Sequence, residues 1–314
     1  MVDDKTEELA VPVIDISALV ALQTDAEVQA KANDPGSPEG AALHEIVDQL
    51  RAAATEWGFF YIANHGVSEH DIEQLHEFIA AFFALSKDVK NRVRRTAHNS
   101  RGYFDDELTK NKLDWKEVFE FGGPLEDSAA QENGYKRLEQ DQNRWLEACA
   151  AHRAAARDFI FAQVTYLDQF FTLANGEPES SSLLRLNHYP VSPDPEKTMG
   201  VYHHADPGAP TVLLQDDKVT SLQVFHRGAQ KWVFVPPRKG TYVINIGGML
   251  QVWSNDRFQA PLHRVLSSGS HGRVSVPFFY HPAYTANWCD FINKRILGNY
   301  ADLGEEVQIA QFLV

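Results

Sequence analysis

Residues 199–226 read MGVYHHADPGAPTVLLQDDKVTSLQVFH, and two short apolar runs stand out in them. The runs are Thr211–Gln215 and Ser221–His226, and a polar turn separates them. Short runs of branched and aromatic residues between turn residues are typical of β-strands. Because no helical pattern lies between the two runs, this stretch predicts part of an all-β sandwich or barrel.

The same texture continues on both sides of this stretch and covers about residues 181–284. Short apolar runs recur there at regular intervals, with turn residues between them. We predict seven strands, at Leu183–Tyr189, Thr211–Gln215, Ser221–His226, Lys231–Val235, Thr241–Ile246, Pro261–Leu266 and Val274–Tyr280. The pattern therefore places a β-rich core in the second half of the chain.

The first half, about residues 1–180, is predominantly helical in pattern. Short strands are predicted at 11–18 and at Trp57–Ala63, and helices at 24–58 (broken by a loop at 33–40), 69–95 and 138–175. Residues 285–314 look helical again. No linker composition separates these parts, so we expect one domain over residues 1–314.

Charge and cysteine content exclude several classes of protein. The formal net charge is −14, which argues against a nucleic-acid partner because such a protein needs a basic face. Two cysteines are too few for a disulfide framework and suit a reducing compartment. The acidic first residues do not resemble a secretion signal, and no apolar run approaches the ~20 residues that cross a membrane. We expect a cytoplasmic protein without a membrane partner.

A histidine and an aspartate stand two positions apart at His204-Ala205-Asp206. On a strand or at its edge such residues point the same way, so one metal ion can bind both side chains. His263, in a different predicted strand, completes a set of two histidines and one carboxylate, which favours non-haem Fe(II) oxygen chemistry. Zinc is the competing metal, and Mn or Co could act as surrogates. The spacing favours His204 over its neighbour His203 as the ligand.

Arg273 and Ser275 form a second pair at the same spacing, ten residues after His263. A guanidinium can grip a carboxylate through two hydrogen bonds, and a serine hydroxyl can add a third. Arg273 alone would more simply be explained by a surface salt bridge. Together with the His and Asp residues, the pair indicates a carboxylate ligand close to a metal.

Seven motifs occur in an order that resembles the iron(II)/2-oxoglutarate-dependent dioxygenases of the isopenicillin-N-synthase-like type. The resemblance extends over nearly the whole chain, and the ordered set is more specific than any one motif. The motifs are Val11–Ser17, Trp57–Val67 (WGFFYIANHGV), Phe83–Lys87, Arg101–Tyr103, Asp114–Glu117 (DWKE), Leu186–Pro190 (LNHYP) and Gly247–Asp256 followed by His263–Val265.

The resemblance implies a distorted jelly roll, or double-stranded β-helix, with flanking helices. It also implies that O₂ and 2-oxoglutarate are consumed and that succinate and CO₂ are released, with ascorbate helpful in vitro. Two sets of site residues follow by position: His204, Asp206 and His263 as Fe(II) ligands, and Arg273, Ser275, Tyr189 and Asn187 as the residues that hold 2-oxoglutarate.

The substrate is less well defined. We expect a small molecule of specialised metabolism that undergoes hydroxylation, desaturation, demethylation or oxidative cyclisation in a monomeric enzyme. Residues 285–314 are a candidate lid over the site. Candidate substrate residues are Phe119, Arg101, Phe279, His281 and Tyr284. Arg101 and Lys116 could meet a substrate carboxylate, although a solvated surface position is the simpler expectation for each. A place in the core is the simpler expectation for Phe119.

Two other functions remain open at this point. Some enzymes of this type use the same iron ligands without 2-oxoglutarate, and they keep the Arg-x-Ser pair. A binding or sensor protein without catalytic activity could also be built on this fold. The intact set of five ligand and anchor residues argues against the second alternative. Succinate formed stoichiometrically with product would exclude the enzymes that do not use 2-oxoglutarate.

Overall fold

The computed structural model describes residues 9–97, 99–122, 182–216 and 218–281. Six helices occur in these residues: α1 (Ser17–Val20), α2 (Asp25–Ala32), α3 (Pro38–Glu56), α4 (Glu69–Phe83), α5 (Lys87–Asn91) and α6 (Gly248–Trp253). The strands of the first half are β1 (Val13–Asp15), β2 (Phe59–Ala63), β3 (Gly102–Phe104), β4 (Leu108–Thr109), β5 (Lys112–Leu113) and β6 (Glu117–Gly122). The strands of the second half are β7 (Leu183–Tyr189), β8 (Met199–His204), β9 (Pro210–Gln215), β10 (Leu222–His226), β11 (Lys231–Phe234), β12 (Thr241–Ile246), β13 (His263–Leu266) and β14 (Arg273–Phe279).

Most strands belong to two sheets that pack against each other. The larger sheet has the order β1-β2-β12-β9-β14-β7-β6-β3, and the smaller has the order β11-β10-β13-β8. One buried apolar cluster contains Leu213 and Val243 from the larger sheet and Val201, Val224 and Val265 from the smaller. This sandwich of largely antiparallel strands, with helices outside it, confirms the predicted β-rich core with flanking helices.

The predicted strands of the second half are all present, and β7 and β12 have the predicted bounds. One further strand, β8, was not expected there. Its sequence, Met-Gly-Val-Tyr-His-His, contains a glycine and few branched residues, so its strand propensity is weak. Pairing with β13 overrides that weakness, and β8 carries His204 into the site.

The first half contributes more strand than the sequence indicates. Here β1 and β2 match predicted strands, but β3 and β6 were missed, although both belong to the larger sheet. The predicted helix over 69–95 is two helices, because the extended backbone of Ser86 separates α4 from α5. The predicted helices at 138–175 and 285–314 lie outside the described residues. None of the described helices is long and apolar enough to cross a membrane.

The helix α4 closes the outer side of the larger sheet. Its first turn is capped by the Ser68 hydroxyl, which accepts a hydrogen bond from the Asp71 backbone N–H at 3.1 Å. Its apolar stripe, including Phe78 and Phe82, is buried. The Phe82 ring lies 4.6 Å from the ring of Phe119 on β6, which anchors the helix to the strand.

Candidate metal centre and active site

The three predicted metal ligands converge at one end of the smaller sheet. His204 ends β8, His263 begins β13, and the two residues face each other as antiparallel partners with ring centroids 4.3 Å apart. Asp206 lies two residues beyond the strand. One possible ligand atom from each of the three side chains falls within 4.8 Å of the others. This spacing suits a single metal ion between them.

The two imidazoles have the orientation that metal-binding histidines need. The Nδ1 atoms of His204 and His263 lie 2.9 and 3.3 Å from the backbone carbonyls of Tyr202 and Pro261. A carbonyl only accepts, so each Nδ1 donates its proton to the carbonyl, and Nε2 is the ring nitrogen that can bind a metal. The Nε2 atoms lie 3.4 and 3.6 Å from Oδ1 of Asp206.

The carboxylate of Asp206 is buried and held by two polar side chains. Its Oδ2 accepts hydrogen bonds from the Thr211 hydroxyl at 2.5 Å and from Nδ2 of Asn245 at 2.9 Å. Burial opposes ionisation, but the nearby His263 and His204 outweigh it and hold the pKa of Asp206 well below its usual range. The side chain therefore presents an ionised Oδ1 to the two imidazoles, as a divalent metal requires.

Arg273 begins β14, with β7 on one side and β9 on the other. It is 2% exposed, and its Nη2 donates to Oε1 of Gln215 at 3.1 Å. Among the described residues, its Nε and Nη1 have no hydrogen-bond partner. Burial lowers the pKa of Arg273. A buried guanidinium with donors to spare fits the carboxylate of a ligand.

Two further polar side chains lie beside Arg273 and Ser275. In the antiparallel register of β7 and β14, Tyr189 pairs with Arg273, and Asn187 pairs with Ser275. The Ser275 hydroxyl donates to the Tyr189 hydroxyl at 3.4 Å, and Nδ2 of Asn187 donates to Oγ of Ser275, also at 3.4 Å. The fold thus brings all four predicted anchor residues together.

The metal ligands and the anchor residues line the same cavity. It also contains apolar side chains from both sheets and two cations, of which Lys116 was considered as a contact for a substrate carboxylate and Arg185 was not. The additional lining residues include Phe59, Leu213, Val265, Phe279, Lys116 and Arg185. A molecule bound in this cavity can therefore touch the His and Asp cluster and the buried guanidinium at once.

The candidate substrate residues occupy different places. Phe279 lines the cavity. Phe119 does not; it is buried against Phe82 on the other side of β6. His281 follows β14, its ring centroid 6.4 Å from that of Phe279, and it does not line the cavity. Tyr284 and the candidate lid at 285–314 lie outside the described residues.

The expectation of solvated positions for Arg101 and Lys116 is wrong. Arg101 is 4% exposed and lies 3.2 Å from a carboxylate oxygen of Glu120, while Nζ of Lys116 lies 2.7 Å from Glu107. Burial opposes the charge of Lys116, but Glu107 and Asp114 outweigh it and raise the pKa of Lys116. Opposite charges in close contact make the buried position tolerable.

The sequence interpretation overlooked Thr211, Asn245, Gln215 and Arg185. Each is a polar residue on a strand with apolar neighbours, and each lies beside a predicted site residue or lines the cavity. Asn245, for example, stands between two isoleucines in β12. A polar residue at an inward position of such a strand is the signal that could have identified them.

Asn245→Ala is expected to lower the affinity for Fe(II) about tenfold to a hundredfold, because the hydrogen bond from Asn245 holds the Asp206 carboxylate in place. Removing the amide leaves the Thr211 hydroxyl as the one remaining side-chain partner of Oδ2 of Asp206 among the described residues. Anaerobic titration with Fe(II) measures the change. Asn33→Ala, at an exposed position after α2, is the control. Equal affinities of Asn245→Ala and wild type would contradict the role of Asn245.

Two family profiles match the chain. The 2OG-Fe(II) oxygenase superfamily matches residues 180–282, and the N-terminal region described as non-haem dioxygenase in morphine synthesis matches residues 11–148. The chain belongs to the 2OG-Fe(II) oxygenase superfamily. Both strands that supply histidines to the metal cluster fall inside the first match.

Individual relatives agree with this assignment. Homoarginine-6-hydroxylase 2-ODD-233 of Oryza sativa subsp. japonica is 32% identical, over 88% of this chain and 87% of the relative. Feruloyl CoA ortho-hydroxylase 2 of Arabidopsis thaliana is 31% identical, over 73% of this chain and 64% of the relative. The crystal structure of JOX2 in complex with 2OG, Fe and JA superposes with a TM-score of 0.68 at 25% identity, covering 88% of this chain and 76% of JOX2.

The family, the jelly-roll fold and the cofactors expected from the sequence are therefore confirmed. The chain is an oxidoreductase that depends on Fe(II) and 2-oxoglutarate. The donor set agrees with this conclusion, because two neutral imidazoles and one carboxylate match the non-haem Fe(II) oxygenases.

Proposed function

We propose that this enzyme hydroxylates a small organic molecule, with Fe(II) held by His204, Asp206 and His263. The observation that carries this proposal is the shared orientation of the three side chains. Both Nε2 atoms face one oxygen of a buried carboxylate, and the other oxygen is fixed by hydrogen bonds. Three protein ligands leave positions on the metal for a co-substrate and O₂.

Bound Fe(II) and 2-oxoglutarate supply the oxidising chemistry, in which 2-oxoglutarate and O₂ give succinate, CO₂ and one oxygen atom for the substrate. The protein holds and orients the reactants. The backbone carbonyls of Tyr202 and Pro261 keep the proton on Nδ1 of each imidazole, and so keep both Nε2 atoms available.

For 2-oxoglutarate, we propose that Arg273 binds the carboxylate distant from the metal through its unused Nε and Nη1 donors. The hydroxyls of Ser275 and Tyr189 lie together beside it and add hydrogen bonds to the same carboxylate. Asn187 donates to Ser275, and we propose that it contacts the end of 2-oxoglutarate nearer the metal. Its Oδ1 is buried and has no hydrogen-bond partner among the described residues, so it can accept from a bound ligand or water.

The apolar cavity wall serves a separate purpose. Phe59 lies 5.8 Å from the ring of His263, and Leu213 and Val265 extend the apolar surface around the metal cluster. These side chains exclude water from the space in which oxidation takes place. Exclusion of water protects a reactive site from side reactions and favours attack on a bound C–H group.

The relatives support a small-molecule substrate, since their names concern homoarginine, feruloyl-CoA and JA. Their diversity also shows that the fold and the iron site do not select the substrate. We infer a role in specialised metabolism. We also infer a monomer, which gel filtration would test, and a cytoplasmic location, which cell fractionation would test.

Purified chain supplied with Fe(II), ascorbate and 2-oxoglutarate tests the proposed function. We expect succinate and hydroxylated product in a 1:1 ratio when a panel that includes homoarginine, feruloyl-CoA and jasmonate is screened. Omission of Fe(II) is expected to abolish both products. Oxidised product without succinate would instead favour an iron oxidase that does not use 2-oxoglutarate. Iron and ligand binding without either product would favour a binding protein.

A further inference from the structure

We propose that Lys116 is a specificity-determining residue that selects substrates with a carboxylate group. This inference rests on the proposed function, because it concerns the substrate of that same site. It starts from the charged side chains of the cavity. Asp206 belongs to the metal cluster and Arg273 to the 2-oxoglutarate anchor, which leaves Lys116 and Arg185 as the other charged lining residues among those described.

One carboxylate holds the two cations side by side. Oε2 of Glu107 lies 2.7 Å from Nζ of Lys116, and Oε1 of the same residue lies 3.0 Å from Nη1 of Arg185. Glu107 itself does not line the cavity. The cavity wall is therefore formed by the cations, and the carboxylate that holds them lies behind it.

The ammonium group of Lys116 has donor capacity left for a ligand. It offers three N–H groups. Its partners among the described residues are Glu107 and, at 3.4 Å, Asp114. Asp114 is also occupied elsewhere, since it accepts hydrogen bonds from the Thr109 hydroxyl at 2.9 Å and from the backbone N–H of Tyr202 at 3.3 Å.

Lys116 also stands at a suitable position relative to the reacting centre. It immediately precedes β6, and Glu117 at the start of that strand pairs with His188 on β7. Antiparallel register then places Lys116 beside Tyr189 of the 2-oxoglutarate anchor. Its side chain is only 6% exposed, and a charge-assisted hydrogen bond is stronger in such a site than in water. A neutral substrate would leave the third N–H group of this ammonium without a charged partner, which is a penalty that discriminates against such a substrate.

The experiment uses matched probes and the full-length enzyme. Jasmonate, ferulate, cinnamate and benzoate are each compared with their methyl ester, and agmatine, which carries a guanidinium but no carboxylate, is added as a cationic probe. The readouts are substrate-stimulated succinate formation and the probe-induced rise in Tm. We expect at least one acid to act at about tenfold lower concentration than its ester. The proposal would be overturned if acid and ester gave the same readouts at equal concentration. It would also be overturned if only neutral or cationic probes gave a response, or if no acid did.

Variants of Lys116 then assign the preference to this residue. Lys116→Met is expected to raise KM for the acid about tenfold to a hundredfold with a smaller change in kcat, and Lys116→Arg to retain most of the preference. The double variant Lys116→Met/Glu107→Gln removes one charge of each sign, so it tests the same point if the single variant does not fold. Lys197→Met, which removes a lysine at an 83% exposed position paired with Asp194, is the control. An unchanged acid preference in Lys116→Met or in the double variant would contradict the role of Lys116.

Failure of this inference can be separated from failure of the proposed function. Iron-dependent conversion of 2-oxoglutarate to succinate with esters as efficient as acids would leave the oxygenase intact and remove the role of Lys116. A complete absence of iron-dependent succinate formation in the wild type, with every probe, would remove both.

Discussion

Replacing Asp206 with alanine is expected to abolish turnover while the chain stays folded. In the proposed metal site, Asp206 is the only anionic ligand among the described residues, and its Oδ1 lies 3.4 and 3.6 Å from Nε2 of His204 and His263. Without it, two neutral imidazoles remain, which is too few ligands to hold a divalent ion firmly. Succinate formation and anaerobic Fe(II) titration measure the two losses.

A second substitution separates the metal from the fold. Asp206→Ala leaves the Thr211 hydroxyl and the Asn245 amide without their acceptor, at a cost of about 1–3 kcal/mol each. Asp206→Asn keeps an oxygen that can accept both hydrogen bonds but lacks the charge, so we expect near-native stability with strongly reduced iron binding. Asp194→Ala, at a half-exposed position, is the surface control. Normal turnover in Asp206→Ala would show that the metal ligands are wrongly assigned.

The parts of the site that could be predicted depend on short-range geometry. Arg273 and Ser275 lie two residues apart on one strand, so they share a face wherever that strand lies. His204 and Asp206 have the same spacing, although Asp206 falls beyond the end of β8. In both cases a local rule places two functional groups together, and the fold only has to bring the pairs to one cavity.

Other parts depend on contacts that no local pattern contains. The inward face of β6 could not be chosen from its sequence, because a shift of one residue exchanges the faces. Glu120 lies towards Arg185, and Phe119 lies towards Phe82 of α4. Phe119 was therefore a reasonable substrate candidate by position, and it packs on the opposite side of the strand from the cavity.

The two cations that line the cavity, Lys116 and Arg185, are a stronger example of the same limit. Lys116 and Arg185 are far apart in sequence, and Glu107 belongs to a third segment. Charged residues are almost never buried unless they are paired, so each of them alone is expected at the surface. Only the fold reveals that one carboxylate holds both cations against the cavity.

Arg273→Met is expected to weaken 2-oxoglutarate binding about a hundredfold or more. Two hydrogen bonds from a guanidinium to a carboxylate contribute roughly 1.5–3 kcal/mol each, and the thioether supplies neither of them. The change should appear mainly in KM for 2-oxoglutarate, because the guanidinium is proposed to grip the end of the molecule away from the metal. Steady-state succinate formation over a wide range of 2-oxoglutarate concentrations measures it.

The same variant has a second, opposite effect that distinguishes an anchor from a structural arginine. The buried guanidinium is only partly hydrogen-bonded by the protein, so without ligand its removal is expected to leave Tm unchanged or raised. Wild type should gain stability as 2-oxoglutarate is added, by RT ln(1 + [L]/Kd), and Arg273→Met should not. Arg273→Lys keeps the charge but lacks the planar fork, so an intermediate KM is expected. A large loss of Tm in Arg273→Met without ligand, together with an unchanged response to 2-oxoglutarate, would make Arg273 a structural residue and place the co-substrate elsewhere.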